Sequence, residues 1–332
     1  MTMTQDKQFL YPSIDLEKPE LGSLRNQFGD TLAELGKTDP DLVVLDSDLA
    51  CSTQTQRFAN KFPDRFFNQG ISEADMMCTA AGLATVGKKP FVSTFALFAA
   101  GRAWDQVRNT ICYSNLNVKI CPTHSGVSLG EDGASHQSIE DIALMRVIPN
   151  MTVIVPSDSI ETDAIIRWAN ETDAPMYIRL VRTNHAIIHE KASFKFTPYK
   201  NEVLCQGDAL TICATGETVY HALLAARWLA ERDNIYVEVI NCRFIKPFDV
   251  DTLLKSVKKT RRVMTIESHQ FIAGLGGAVC EVLCEHDPVP VKRIGTKDQY
   301  GQSGTPELLF EEYGLDPQSI YDTVKLYLPE AH

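Results

Sequence analysis

Residues 123–137 read THSGVSLGEDGASHQ. His124 and His136, an adjacent Glu-Asp pair and three glycines fall in one short stretch. The stretch has neither the 3.6-residue period of a helix nor the two-residue period of a strand. It follows VKICP (118–122), an apolar run that reads as a buried strand. In α/β sheets, ligands sit beyond the carboxyl ends of strands. A histidine placed there can donate to an anion or shuttle protons. Asp132, which precedes a glycine, can accept from a hydroxyl group. An Asx-type turn with incidental histidines would look similar for one histidine. Two histidines and an aspartate within thirteen residues favour a polar binding loop.

Two more stretches carry candidate chemistry. GISEADMM (70–77) places Glu73 at the start of a helix after the short strand RFFNQ. An acid there complements the helix N-terminus. A partly buried carboxyl group there can also hydrogen-bond a ligand nitrogen, because burial raises the pKa of carboxyl groups and lets them carry a proton. STFALFAAGRAWDQ (93–106) places Phe95 and Phe98 at a strand end and the turn beyond it. Phenylalanines there are either core residues or an aromatic shelf for a planar ring.

The elements that must hold these residues read clearly. LVVLD (42–46), PFVSTF (90–95), TVIVP (152–156) and MYIRLV (176–181) join VKICP as buried strands. Ser23 can cap a helix whose Leu24, Phe28, Leu32 and Leu35 share a face and whose end is Gly36. Ser72 with Asp75 resembles a capping box, and the small-residue helix that follows should stop at Gly87. This β-α alternation implies an α/β fold, a mostly parallel sheet with helices on both faces. A second, shorter β-α set begins with ALTICATG and ETVYHALLAARWLAER. The expected division is an N-terminal arm (1–22), a first domain (23–188), a linker (189–204) and a second, smaller α/β domain (205–332). GLGG at 274–277 reads as a turn opening a helix, and no GxGxxG or GxxxxGK[ST] phosphate loop occurs.

Composition narrows the function. The chain has 332 residues, 44% of them hydrophobic, and a net charge of −11. Such acidity argues against nucleic acid as a partner. The basic run KSVKKTRR (255–262) reads as a solvated helix face leading into a strand. Nine scattered cysteines show no CxxC and no metal-ligand spacing. No signal peptide is expected at the N-terminus and no run suits a membrane span, so a cytoplasmic location is expected.

Taken in order, GISEADMM, STFALF, HSGVSLGEDGASHQ, RVIPNMTVIVPSD and IRLVR resemble the C-terminal half of transketolase. LGEDGxxHQ followed by IPNM is the specific part. SLRNQFG and DSDLACS resemble further segments of the same family. The resemblance implies a thiamine diphosphate-binding pyrimidine domain followed by the transketolase C-terminal domain. It implies the transfer of a two-carbon ketol unit between a ketose phosphate and an aldose, as in pentose phosphate metabolism. Glu73 would meet the aminopyrimidine N1′ and favour the imino tautomer that removes the thiazolium C2 proton. Phe95 and Phe98 would hold the pyrimidine, with Asp48 and Leu49 beside the bent cofactor. Asp132 would accept from a sugar hydroxyl, and His136 would sit by the reacting carbons. Arg25, Ser52, His124 and Arg182 would bind the sugar phosphate.

The departures matter equally. The family's N-terminal half, whose GDG…N segment binds Mg²⁺ and the diphosphate, has no counterpart here. The chain therefore resembles the pyrimidine-binding member of a split, two-chain transketolase. That implies a separate diphosphate-binding subunit, equivalent to the N-terminal half, with the metal held there, and an α₂β₂ assembly. No tyrosine follows STFALF where transketolases carry one against the pyrimidine, which implies either Trp104 as a substitute or a ring held less tightly. RAWDQ is similar to a segment of deoxyxylulose-phosphate synthase, one alternative family. A beta-type subunit of a 2-oxo acid dehydrogenase is another, but it has no need of the LGEDGASHQ loop. A non-catalytic scaffold relative should have lost Glu73 or that loop. TIESHQFIAGLGGAV (265–279) contains Glu267 and His269, to which no catalytic role is assigned.

Overall fold

A computed structural model describes residues 8–328. Its strands in chain order are β1 (Leu21–Ser23), β2 (Leu42–Asp46), β3 (Phe66–Asn68), β4 (Lys89–Ser93), β5 (Lys119–Ile120), β6 (Thr152–Ile154) and β7 (Met176–Ile178), then β8 (Asn184–Ala186), β9 (Glu202–Cys205), β10 (Thr211–Ala214), β11 (Glu238–Asn241), β12 (Phe244–Lys246), β13 (Val263–Gln270) and β14 (Val291–Thr296). The first sheet has the order β12-β6-β7-β5-β4-β2-β3, and the second β14-β13-β10-β11-β9. Each is parallel except for one end strand, β12 in the first and β9 in the second. β1 and β8 form a separate antiparallel pair.

Strand alternation sorts the first core into two layers. Val43 and Leu45 of β2 pack with Met76, Met77 and Ala80 of the helix Glu73–Thr85 on one face. Leu42 and Val44 pack with Phe28, Leu32 and Ile165 on the other. Successive strand side chains point to opposite faces, so a run apolar at every position must be covered on both. Those opposite-face residues belong to the helices Leu24–Leu35 and Ser159–Glu171. The first starts as expected, with Ser23 Oγ accepting from the Asn26 amide at 3.3 Å.

The start of the helix Glu73–Thr85 corrects the sequence reading. Ser72 precedes it, but its side chain makes no capping hydrogen bond. Ser72 and Asp75 are both exposed, so water can satisfy the first-turn amides that a capping box would otherwise serve. The helix ends at Thr85, and Gly87, with φ +84°, reverses the chain into β4.

The two domains are more interlocked than the sequence suggests. β12 lies within the second β-α set but joins the first sheet beside β6. Its Phe244 is buried against Trp168, Phe196 and Tyr199. Residues 189–204, expected as linker, are anchored at both ends, with His189 buried and β9 beginning at Glu202, while most of 191–200 is exposed. A buried ion network fastens this seam. Asp158 caps the helix Ser159–Glu171 through the Glu161 amide and lies 2.8 Å from His189 Nδ1. His189 Nε2 lies 3.1 Å from Glu202, which also pairs with Arg243, and Arg243 Nε lies 2.8 Å from Glu161.

This network sets a pH expectation. Burial opposes charge on His189, but Asp158 and Glu202 prevail and its pKa rises to about 10. A raised folded-state pKa stabilises fully below the unfolded value of about 6.5, and that stability is lost as pH climbs through about 10. Thermal melts from pH 7 to 10 should therefore fall by several degrees. His189→Gln should flatten that slope while lowering the melting temperature at pH 7.

Candidate active site

Most candidate residues gather at the carboxyl ends of β2 to β5 and in the loops beyond, where parallel strands leave a crevice, while Arg25 lies in the first turn of the helix Leu24–Leu35 and Arg182 follows β7. Beyond β2, the buried Asp46 carboxylate accepts from the Leu49 amide at 2.6 Å and from the Thr53 and Thr55 hydroxyls at 2.7 and 2.9 Å. Burial raises the Asp46 pKa against those bonds. The same turn leaves Asp48 exposed at φ +61°, with its amide bonded to Asn68 Oδ1. Asp46 thus shapes the loop that carries Asp48, Leu49 and Ser52. Its only signal in the sequence is an aspartate closing an apolar strand.

Beyond β3, Glu73 is 1% exposed at the first position of its helix. Its carboxylate pairs with Arg102 Nη1 at 2.9 Å. Beyond β4, Phe95 and Phe98 stack at 5.9 Å between centroids and 16° between planes. Wide helical turns follow, with the Ala103 amide reaching back to the Phe98 carbonyl five residues earlier. Such turns are frequent at functional sites. Trp104, the expected substitute for the tyrosine, has its Nε1 donating to the Leu144 carbonyl and its ring packed on the core.

Beyond β5, both histidines of the loop converge on the aromatic pair. His124 stacks on Phe95 at 3.9 Å, and His136 meets Phe98 edge-on at 5.6 Å. His124 adopts φ +64° and lies 2.6 Å from the Thr123 hydroxyl. Burial first, then Arg25, Arg182 and His136, push its pKa down to about 3. His124 is therefore neutral at physiological pH and offers a hydrogen bond instead of a charge.

The cations lie alongside. Arg25 Nη1 donates to the Ser52 carbonyl at 2.8 Å, while its buried Nε has no partner among the described residues. Burial and then Arg182 lower the Arg25 pKa. Arg182 donates to the Leu129 carbonyl and lies 3.8 Å from Asp132 at the exposed loop tip. Two guanidiniums close enough to disfavour each other, one with an unused N–H, suit an anionic group.

The glycines of the loop answer to the second domain. Gly126, Gly130 and Gly133 all have positive φ. A Cβ on Gly126 would come within 2.4 Å of Ser268 Oγ, and one on Gly133 within 2.5 Å of Ser303 Oγ. Below the loop, Arg179 and Asp141 form a fully buried pair at 2.8 Å, and Arg179 also donates to the Ser138 and Ser268 carbonyls. Neither residue stands out in the sequence, because buried pairing depends on tertiary neighbours.

Comparison with known proteins decides the family. The model for the transketolase pyrimidine binding domain matches residues 22–186, and that for the transketolase C-terminal domain matches residues 200–320. A putative transketolase C-terminal section of Methanocaldococcus jannaschii is 48% identical over 301 residues, covering 90% of this chain and 93% of that protein. This chain belongs to the transketolase family. Within it, the chain corresponds to the C-terminal section, the pyrimidine-binding member of split transketolases. An apulose-4-phosphate transketolase subunit of Phocaeicola vulgatus is 38% identical over 299 residues, covering 90% of this chain and 95% of that one. A solved structure described as a split gene transketolase, inactive beta4 tetramer, is 47% identical with a TM-score of 0.85, covering 92% of this chain and 98% of that one. The pyrimidine binding domain of this transketolase chain implies thiamine diphosphate as cofactor. Among the described residues, no helix is long and apolar enough to cross a membrane.

Proposed function

We propose that this chain transfers a two-carbon ketol unit between a ketose phosphate and an aldose, acting with a separate diphosphate-binding subunit. The observation that carries the reading is the convergence of Glu73, the Phe95–Phe98 shelf, His124 and His136 at one crevice beside Arg25 and Arg182. These residues fit the pyrimidine half of thiamine diphosphate: a buried carboxylate lies next to an aromatic face. Thiamine diphosphate, when bound, supplies the electron sink for ketol transfer. Glu73 would hold the proton at the pyrimidine N1′ nitrogen, and Phe95 and Phe98 would fix the ring plane. Leu49 and Asp48 would border the cofactor on the β2 side. His136 would orient substrate oxygens, and Asp132 would accept from a sugar hydroxyl. Arg25, Arg182, neutral His124 and Ser52 would take the phosphate.

The diphosphate and its Mg²⁺ would be held by the partner. Glu161, His189 and Glu202 form a compact group of potential metal ligands. Arg243 and Asp158 already engage those groups, so they do not fit a resident cation. The pairing would build an α₂β₂ assembly.

Calorimetry of thiamine diphosphate with Mg²⁺ tests the division of labour. The chain alone should show no tight binding, and a complex with the diphosphate-binding subunit should bind stoichiometrically. Tight Mg²⁺-dependent binding to the chain alone would overturn the shared-site reading. Substrate recognition has its own test. Asp132→Ala should lower kcat/KM for 2-hydroxylated aldehyde acceptors by about 10-fold or more, the worth of one charge-assisted hydrogen bond. Short aldehydes lacking that hydroxyl should be little affected. Equal loss for both would remove Asp132 from recognition.

A further inference from the structure

Among the described residues, Arg102 alone pairs with the buried carboxylate of the site while lying on its aromatic shelf. Its Nη1 lies 2.9 Å from Glu73 Oε2, and its guanidinium carbon lies 4.9 Å from the centre of the Phe98 ring. A planar group that donates N–H to Glu73 while lying on Phe98 makes the contacts that the cofactor's aminopyrimidine requires. We propose that Arg102 is a placeholder: it lies where the pyrimidine would bind, pairs with Glu73, and must swing out for the cofactor ring to enter. This inference rests on the thiamine diphosphate reading above.

The physical case has three parts. First, the Glu73 side chain is 2% exposed, and a buried carboxylate without a counter-charge is costly. Arg102 is its only ion-pair partner among the described residues. Second, Arg102 is free to leave. Its side chain is 52% exposed, and among the described residues it makes no other hydrogen bond. A Cβ at the neighbouring Gly101 would meet nothing within 4 Å, so the space beside it is open. Third, the two attractions holding it are modest for a half-exposed cation, an ion pair and a cation–π contact. They are enough to compete with a ligand and weak enough to be displaced.

The placeholder trades affinity for protection. Pairing with Arg102 spares Glu73 an uncompensated buried charge, and the cofactor must displace Arg102 before it can bind Glu73. Arg102 is a positioning residue in this scheme, since it acts through Glu73 and leaves before the ring is bound.

Calorimetric titration of thiamine diphosphate and Mg²⁺ into the assembled complex tests this, using wild type, Arg102→Gln, Arg102→Lys and Glu73→Gln. Arg102→Gln should bind the cofactor about tenfold more tightly than wild type, because no ion pair has to be broken. Arg102→Lys should stay near wild type. Glu73→Gln should bind more weakly. An unchanged or weakened Arg102→Gln, with Glu73→Gln still impaired, would overturn the placeholder and leave the cofactor reading intact. Absence of binding in wild-type complex would overturn both. Melting of the chain alone adds a readout without cofactor. Arg102→Gln should lower the melting temperature, and adding Glu73→Gln should restore it. An unaltered melting temperature in Arg102→Gln would show that Glu73 needs no counter-charge and would overturn the proposal.

Discussion

Glu73→Gln lowers kcat of the assembled enzyme by about 10²–10⁴-fold, the usual contribution of a positioned proton-transfer group. The substitution keeps the volume and one hydrogen bond but removes the carboxylate. Glu73 is 1% exposed at the start of a helix, so the amide fits where the carboxylate sat. The decisive readout is exchange of the cofactor's C2 proton, followed by NMR in the assembled complex. It should slow in parallel with turnover, while assembly of the two subunits, followed by light scattering, stays unchanged. A scaffold protein would show unaltered turnover and an unaltered effect on its partner, and that result would falsify the role given to Glu73.

Arg182→Ala raises KM for phosphorylated sugars by about 30–100-fold, with a far smaller change for their unphosphorylated counterparts. Removing one charged partner from a desolvated pair costs about 2–5 kcal/mol in binding, and the half-exposed setting of Arg182 places it at the low end. Arg25→Ala should do at least as much, because its buried Nε has no partner among the described residues and its guanidinium lies close enough to feel the charge of Arg182. The double variant should lose less than the sum, since the two cations disfavour each other when the anion is absent. His124 at a pKa of about 3 cannot supply the missing charge. Any change in the phosphate preference between pH 6 and 8 should therefore follow the second ionisation of the phosphate itself, at about pH 6, and not His124. An equal KM rise for both sugar classes would make Arg182 a structural residue, tied through Leu129 to the shape of the loop.

Local pattern carries some parts of the site and not others. Phe95, His124 and His136 are legible because they interrupt the expected periodicity beyond strand ends. Asp46 and Arg179 are not. An aspartate that anchors a loop from inside the protein looks like any strand-end acid. Arg179 reads as part of the strand IRLVR, and its pairing with Asp141 spans 38 residues of sequence. Arg102 is equally silent, because nothing in GRAW says that its side chain folds back 29 residues to Glu73. Trp104 draws attention by type alone, yet its indole is committed to Leu144.

The sequence by itself determined the α/β class, the parallel strands and the loop that bears the chemistry. Those features follow from short-range periodicity and from residue types that few other roles require. LVVLD is apolar at every position but its last, and only a strand covered on both faces can use that pattern. The tertiary structure decided how the two domains lock together. β12 crosses back to the first sheet because Phe244 finds its cavity among Trp168, Phe196 and Tyr199, which lie far away in sequence. It also decided why the loop needs glycine. Gly126 and Gly133 yield to Ser268 and Ser303 of the second domain, and no local rule can foresee a close approach from a distant segment.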